Sequence, residues 1–438
     1  MQVVQRVEPA VTDPSWVMHM TAGRGKFFTM SADTYSTRWR VLALLAIAEL
    51  LGMSLWFAAS AVTPQLRSIW GLSASEAAWL TTIVQLGFVC GTAVAAVLNL
   101  PDLIPAGRLF SGSALLGAAA NAAILAVPGY RYALVLRFLT GFFLAGVYPP
   151  AMKMAATWFR SQRGLAIGVI VGALTVGKAT PYLVRAIPRV GLGPVVLTAS
   201  VGAAIAAVIV AVGYRDGPHP FASRPFSWNH VRDVVRVREW RLATASYLGH
   251  MFELYAFWTW IPAFLAASVA ANAGWRYRAP RFISLLAFAT IAVGGLGCVW
   301  GGIFADKRGR ERLVVISLFM SGSCCVLSGF LFGGPLWVLG ALAMAWGFFV
   351  IADSAQFSTL VTEAVPPHAV GTALTVQTSL GFLLTMLPMQ LVPLMAQRVG
   401  WRWSFVALAL GPVAGIAAIR RLAAIRASAV NAKLSSSA

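Results

Sequence analysis

Glu49, Arg137, Lys178, His250, Glu253 and Asp353 are ionisable side chains set inside long apolar runs of the sequence. A carboxyl or imidazole in such surroundings can take up and release a proton, and a lone ammonium or guanidinium can hold an anion. His250 precedes Glu253 by three residues and shares its helical face, the spacing of a proton relay. Glu49 and Glu253 are each followed seven residues later by a tryptophan, Trp56 and Trp260, whose rings can stack on a solute or fill a core. Asp353 shares a polar stripe with Gln356. Lys178 has no acid within a turn of its own helix, so it either pairs with Glu49 or Glu253 across helices or awaits an anion; both stay open. The expected proton-coupling set is Glu49, His250, Glu253 and Asp353. The expected substrate-binding set is Arg137, Lys178, Trp56, Trp260 and Gln356. His250 and Glu253 are too few to hold a catalytic zinc, and no serine has a paired base, so neither an enzyme, a metal site nor a cofactor is expected.

The elements that position these groups follow from composition. The chain has 438 residues, is 59% hydrophobic and only 11% charged, with a mean hydropathy of +0.76. Apolar runs long enough to cross ~30 Å of hydrocarbon recur along it. They predict twelve spans, near 39–62, 76–98, 109–127, 132–157, 164–187, 191–213, 242–269, 281–304, 313–333, 337–362, 371–395 and 403–420. An intramembrane charge costs at least ~2.5–3.5 kcal/mol on insertion scales and survives where it faces a bundle interior or water. Spans 3, 6, 9 and 12 hold none in their interiors.

The net charge of +20 reflects topology rather than nucleic-acid binding, because most Lys and Arg sit in short loops and tails between spans. Their bias places both termini in the cytoplasm. Arg276, Arg278 and Arg281 dissent on the predicted outer side. Lys153, near the inner end of span 4, is expected to snorkel. The four cysteines all fall inside spans, where a disulfide is not expected.

The two halves of the sequence repeat. Glu49 and Glu253, Trp56 and Trp260, Asp102 and Asp306, and Arg108 and Arg312 all stand 204 residues apart, whereas Gly164 and Gly371, and Pro181 and Pro388, stand 207 apart. The expected organisation is a tail over 1–38, a six-span bundle over 39–213, a central loop over 214–241, a second bundle over 242–420 and a tail over 421–438. The loop contains the amphipathic stretch HVRDVVRVREW at 230–240, which predicts an interfacial helix. Gly164, Gly168 and Gly172, and Gly297 with Gly301, are expected to be close helix contacts.

The run GGIFADKRGRER at 301–312 resembles the loop motif of the major facilitator superfamily. Its partial mate, LNLPDLIPAGR at 98–108, keeps Asp102 and Arg108. RFLTG at 137–141 is similar to that superfamily's Arg-x-x-x-Gly motif, with Ala145 where a second glycine is common. The resemblance implies an all-α membrane protein of two pseudo-symmetric six-helix bundles working by alternating access. It implies a role for Arg137 in coupling or binding, and a gating latch formed by Asp102, Arg108, Gly302, Asp306, Arg308, Gly309 and Arg310. YPPAMKMAATWF at 148–159 with RGLAIG at 163–168 resembles the nitrate, cyanate and organic-anion branches, although the Gly-Asn-rich motif of nitrate carriers is absent. The Gly-Pro dipeptide of drug antiporters is missing from span 5.

The expected function is a proton-coupled carrier of a small polar solute, an anion in view of Lys178 and Arg137. It is expected to act as a monomer in the cell's inner membrane, with the substrate, protons and lipid as partners and no nucleic acid. A proton-driven exporter of amphiphiles would use the same acids with an aromatic lining. A membrane sensor that does not transport would need a larger signalling extension than these tails provide.

Overall fold

Eleven helices among the described residues are long and apolar enough to cross a membrane. The structure is a computed structural model that describes residues 32–159, 162–219, 226–272 and 279–436. The expected tail before residue 32, and Arg276 and Arg278, lie outside those residues. The eleven are span 2, Ala74–Val97; span 3, Ala106–Ala126; span 4, Tyr130–Trp158; span 5, Gly164–Arg185; span 6, Leu192–Gly213; span 7, Arg238–Ala270; span 8, Arg281–Arg308; span 9, Arg310–Leu331; span 10, Leu336–Ala364; span 11, Pro367–Val399; and span 12, Trp401–Ser428. Span 1 precedes them as a broken helix, Ala32–Met53 and then Ala58–Ala61 after a turn at 54–57. The twelve-span, all-helical expectation holds.

Two segments are more helical than expected. The helix of span 1 begins at Ala32, and the helix of span 12 runs on to Ser436. Residues 421–436 are rich in Ala, Leu, Arg and Lys, which favour helix. One charge there is also well used: Arg426 meets Glu239 at 3.1 Å, Glu311 at 2.9 Å and Glu363 at 3.3 Å, and Arg310 meets Glu363 at 2.7 Å. This network ties spans 7, 9, 10 and 12 together at the face where span 1 starts and span 12 ends, the terminal face. The amphipathic loop stretch forms the helix Trp228–Arg236, which buries Val234 and is joined to span 11 by the Ser227 amide donating to Thr372 Oγ1 at 3.0 Å.

Packing repeats the internal duplication. Span 2 packs on span 4, span 3 on span 6, and span 1 on spans 5 and 6; in the second half, span 8 packs on span 10, span 9 on span 12, and span 7 on spans 11 and 12. The halves meet along span 5 with span 8 and span 2 with span 11, which are equivalent pairs under the same repeat. Helix breaks match too: the turn at Gly146 in span 4 and the turn at Asp353 in span 10 stand 207 residues apart. Large exposed apolar side chains such as Leu116, Val201, Phe319, Phe330 and Val413 lie on spans 3, 6, 9 and 12, the surface that lipid would wet.

Glycine sets the closest approaches. A Cβ at Gly301 would overlap the Ala352 carbonyl, and one at Gly297 the Phe348 carbonyl, so this pair packs span 8 on span 10 within one half. The Gly164, Gly168 and Gly172 ladder instead faces the other half. A Cβ at Gly168 would lie 3.2 Å from the Cys298 carbonyl oxygen, and one at Gly172 3.0 Å from that of Gly295. Gly301→Ala should lower thermal stability in detergent by about 1–3 kcal/mol through overpacking. Gly112→Ala, where nothing lies within 4 Å, should leave the melting temperature unchanged.

Candidate functional site

A cavity of about 80 Å³ lies between the halves, and among the described residues Lys178 is its only charged lining residue. The Lys178 ammonium, from span 5, sits 4.1 Å from the ring centre of Trp56, 4.6 Å from Tyr255 and 5.2 Å from Trp258. It also donates to the Tyr255 hydroxyl at 2.5 Å. Trp56 belongs to the first half, and Tyr255 and Trp258 to span 7, so one cation joins the two halves through π faces and a hydroxyl. Phe88 and Phe382 close the aromatic wall at 4.6 Å from each other, and Ser354, Ser358, Gln377 and Thr378 supply the cavity's uncharged polar groups.

Glu49 is fully buried, and among the described residues no donor reaches either carboxylate oxygen. Lys178 is the charged group whose field acts on it. Among the described residues, neither pairing left open for Lys178 is made as a direct ion pair: Glu49 lies only within its field, and Glu253 is bound elsewhere. Glu253 accepts from Trp346 Nε1 at 2.6 Å, Ser321 Oγ at 2.8 Å and Cys325 Sγ at 3.3 Å, all within the second half. His250 does not meet Glu253 directly. Its Nδ1 lies 3.0 Å from Asp353 Oδ1, linking span 7 to the break in span 10, and both side chains are 1% exposed. Neither side chain of the pair lines the cavity, whose lining includes their chain neighbours Tyr247, Ile351 and Ser354.

Arg137 is buried and is not among the cavity's lining residues. Its guanidinium donates to the Leu80 carbonyl at 3.1 Å, the Leu55 carbonyl at 3.0 Å, Asn121 Oδ1 at 3.2 Å and the Trp56 carbonyl. The turn at 54–57 interrupts the helical ladder of span 1, leaving the Leu55 carbonyl a long bond from the Ala58 amide at 3.4 Å, and Arg137 supplies donors to the Leu55 and Trp56 carbonyls. Gly141, one turn after Arg137, allows this reach, because any Cβ there would overlap the Val84 carbonyl of span 2. The break aims Trp56 at Lys178.

Trp260 has a related role. Pro393 cannot donate to the carbonyl four residues earlier, that of Met389, and Trp260 Nε1 donates to it at 2.7 Å. Trp260 and Gln356 are therefore buried away from the cavity lining, while Tyr255, Trp258 and Asn121, which the sequence reading missed, hold the site. The Pro393 to Met389 spacing was a usable signal for Trp260. Nothing in the sequence marks Tyr255 and Trp258 among so many aromatic residues.

At the terminal face, Gly302 lies against Gly164, and a Cβ at Gly164 would be 3.4 Å from Asp306 Oδ2. Asp306 thus stands across the half-interface at the start of span 5, beside the positive end of its helix dipole. Arg310 binds Glu363 inside its own half, Gly309 turns the chain at φ 94°, and Arg308 and Arg108 are exposed. The side chain of Asp102 lies outside the described ones. At the opposite face, Ser75 Oγ donates to Gln390 Oε1 at 3.2 Å, and Gln390 Nε2 donates to Thr82 Oγ1 at 3.2 Å. The halves touch on both sides of the cavity.

The model of the Major Facilitator Superfamily matches residues 44–388. The chain belongs to that superfamily. The solved structure of a mutant form of the nucleoside transporter NupG shares the fold with a TM-score of 0.69 and 13% identity, covering 87% of this chain and 99% of that one. No curated protein matches the sequence. Membership makes the chain a multi-pass secondary transporter of a small molecule, and its two touching halves surround the place where alternating access needs a binding site.

The donors around each acid separate their roles. Glu253→Gln should cost about 1–3 kcal/mol of stability, because one of the three donors then faces an amide NH2. Glu49→Gln, which loses no hydrogen bond, should lower the melting temperature less than Glu253→Gln does.

Proposed function

We propose that the protein co-transports a small organic anion, a carboxylate with a short apolar body, with a proton, and that both termini are cytoplasmic in a cell inner membrane. The observation that carries this reading is the lone ammonium of Lys178 at the centre of the half-interface, walled by aromatic and methionine side chains. A cation in that position repels cationic amphiphiles and attracts anions. The cavity of about 80 Å³ holds roughly two to three waters' worth of volume, which suits a compact solute.

Coupling follows from competition for one positive charge. With Glu49 ionised, Lys178 is internally compensated, and an entering carboxylate meets a neutral pair. With Glu49 protonated, Lys178 is uncompensated and the anion completes the charge balance. Proton and anion therefore favour each other's binding, which is the thermodynamic condition for symport. The bound carboxylate replaces the Tyr255 hydroxyl on Lys178, so loading acts directly on a contact between halves. Asp306 at the start of span 5 and the Ser75, Gln390 and Thr82 contacts are the proposed gates that part alternately. The His250 and Asp353 pair at the span 10 break is a second protonation site in this scheme, and Glu253 is an anchor of span 7.

Proteoliposomes with an acidic exterior test it, using acetate, propionate, lactate and benzoate against nitrate, a quaternary ammonium compound and uridine, a comparator chosen because NupG is named a nucleoside transporter. A short carboxylate should accumulate, and accumulation should collapse with the pH gradient. Lys178→Gln should reduce transport about 10- to 100-fold, the value of a charge-assisted hydrogen bond. Glu49→Gln should keep anion exchange at zero gradient and lose gradient-driven accumulation. Gradient-driven accumulation by Glu49→Gln at the wild-type level would refute the coupling.

A further inference from the structure

A second cavity, of about 340 Å³, opens on the lateral surface of the second half at the terminal face. It is framed by the last turn of span 8, the first turns of span 9 and the middle of span 12, remote from the Lys178 cavity. Its lining combines three arginines, Arg308, Arg312 and Arg420, with the apolar side chains of Phe304, Val315, Ile316, Ile419 and Ala423.

The charges in this groove are unbalanced. Glu311 also lines it, but its carboxylate is engaged by Arg426 at 2.9 Å. Among the described residues, Arg308, Arg312 and Arg420 make no ion pair with any acid. The apolar walls do not end at the groove. Ile316 is 37% exposed, and Phe319 and Val413, farther from the terminal face on spans 9 and 12, are 62% and 65% exposed. A track of hydrocarbon-facing surface thus leads into a cluster of three cations at the level of a membrane interface. A soluble phosphate would use the cations and leave the apolar walls to water.

We propose that this groove binds an anionic phospholipid from the leaflet at the terminal face. Its phosphodiester sits among Arg308, Arg312 and Arg420, and an acyl chain lies along Phe304, Ile316 and Ile419. Arginine suits the role because its planar fork binds phosphate oxygens bidentately, and basic pockets between spans favour anionic headgroups. The lipid also reaches the gate: Arg308 is two residues from Asp306, so a lipid held there steadies the turn that abuts Gly164.

The test is native mass spectrometry of the full-length protein in detergent, titrated with phosphatidylglycerol, phosphatidylcholine or inorganic phosphate. Wild type should retain phosphatidylglycerol in preference to phosphatidylcholine, and phosphate should not displace it at millimolar concentration. Arg312→Gln/Arg420→Gln should weaken phosphatidylglycerol binding roughly tenfold or more, whereas Arg108→Gln/Arg398→Gln, removing two exposed arginines elsewhere, should not. Equal retention by the Arg312/Arg420 variant, or equal loss in both variants, would overturn the site. Displacement by phosphate would show a free-anion site instead. Should the Arg312/Arg420 variant fail to fold, Arg420→Gln alone should weaken binding, and unchanged binding there would equally overturn it.

Discussion

A charge buried in a membrane span must be compensated within the protein, and the different ways this chain compensates its buried charges organise the rest of the structure. Arg137 is satisfied by the Leu55 and Trp56 carbonyls at the break in span 1, by the Leu80 carbonyl of span 2 and by Asn121. Glu253 is satisfied by three donors inside the second half. His250 and Asp353 stand together as a buried pair, Nδ1 to Oδ1 at 3.0 Å. Lys178 is the exception, because its partners come from both halves and are mostly π faces. A π face and one hydroxyl hold an ammonium less firmly than a carboxylate would, so this is the compensation an entering anion can best replace.

The other elements serve that contact. The break in span 1 turns Trp56 toward the cation, and Arg137 with Asn121 fixes the break. Asn121 is itself held by the Val196 carbonyl at 3.2 Å and Ser200 at 3.0 Å. Pro393 leaves the Met389 carbonyl of span 11 without its helical donor, and Trp260 takes it, positioning the neighbouring turns of span 7 that carry Tyr255 and Trp258. The glycine ladder of span 5 permits close contact with span 8 while offering little side chain to interlock. These approaches are looser than those at Gly297 and Gly301, where a Cβ would overlap a carbonyl within one half.

The fold was legible in the sequence because its causes are local. Hydropathy gave the spans, the charge-free interiors of spans 3, 6, 9 and 12 fit the outer placement that the superfamily resemblance implies, and the offsets of 204 and 207 showed the duplication. The site was legible only in part. Lys178, Glu49 and Trp56 could be singled out because a charge or a repeated tryptophan in an apolar run is conspicuous. Arg137 looked like a ligand because the broken backbone that occupies it leaves no mark in composition. His250 seemed destined for Glu253, since three-residue spacing on one helix was the only proximity a sequence offers; Asp353 lies more than 100 residues away and reaches it through packing alone. Tyr255 and Trp258 were hidden by abundance.

The central claim is that Lys178 exchanges Glu49 for the substrate's negative charge. The most direct measurement is the number of protons taken up when the best-transported anion binds, obtained by calorimetry of purified protein in buffers of different ionisation enthalpy. The account predicts net uptake approaching one proton per anion in the wild type and none in Glu49→Gln, with binding retained. Equal proton uptake in both proteins, or none in either, would contradict it.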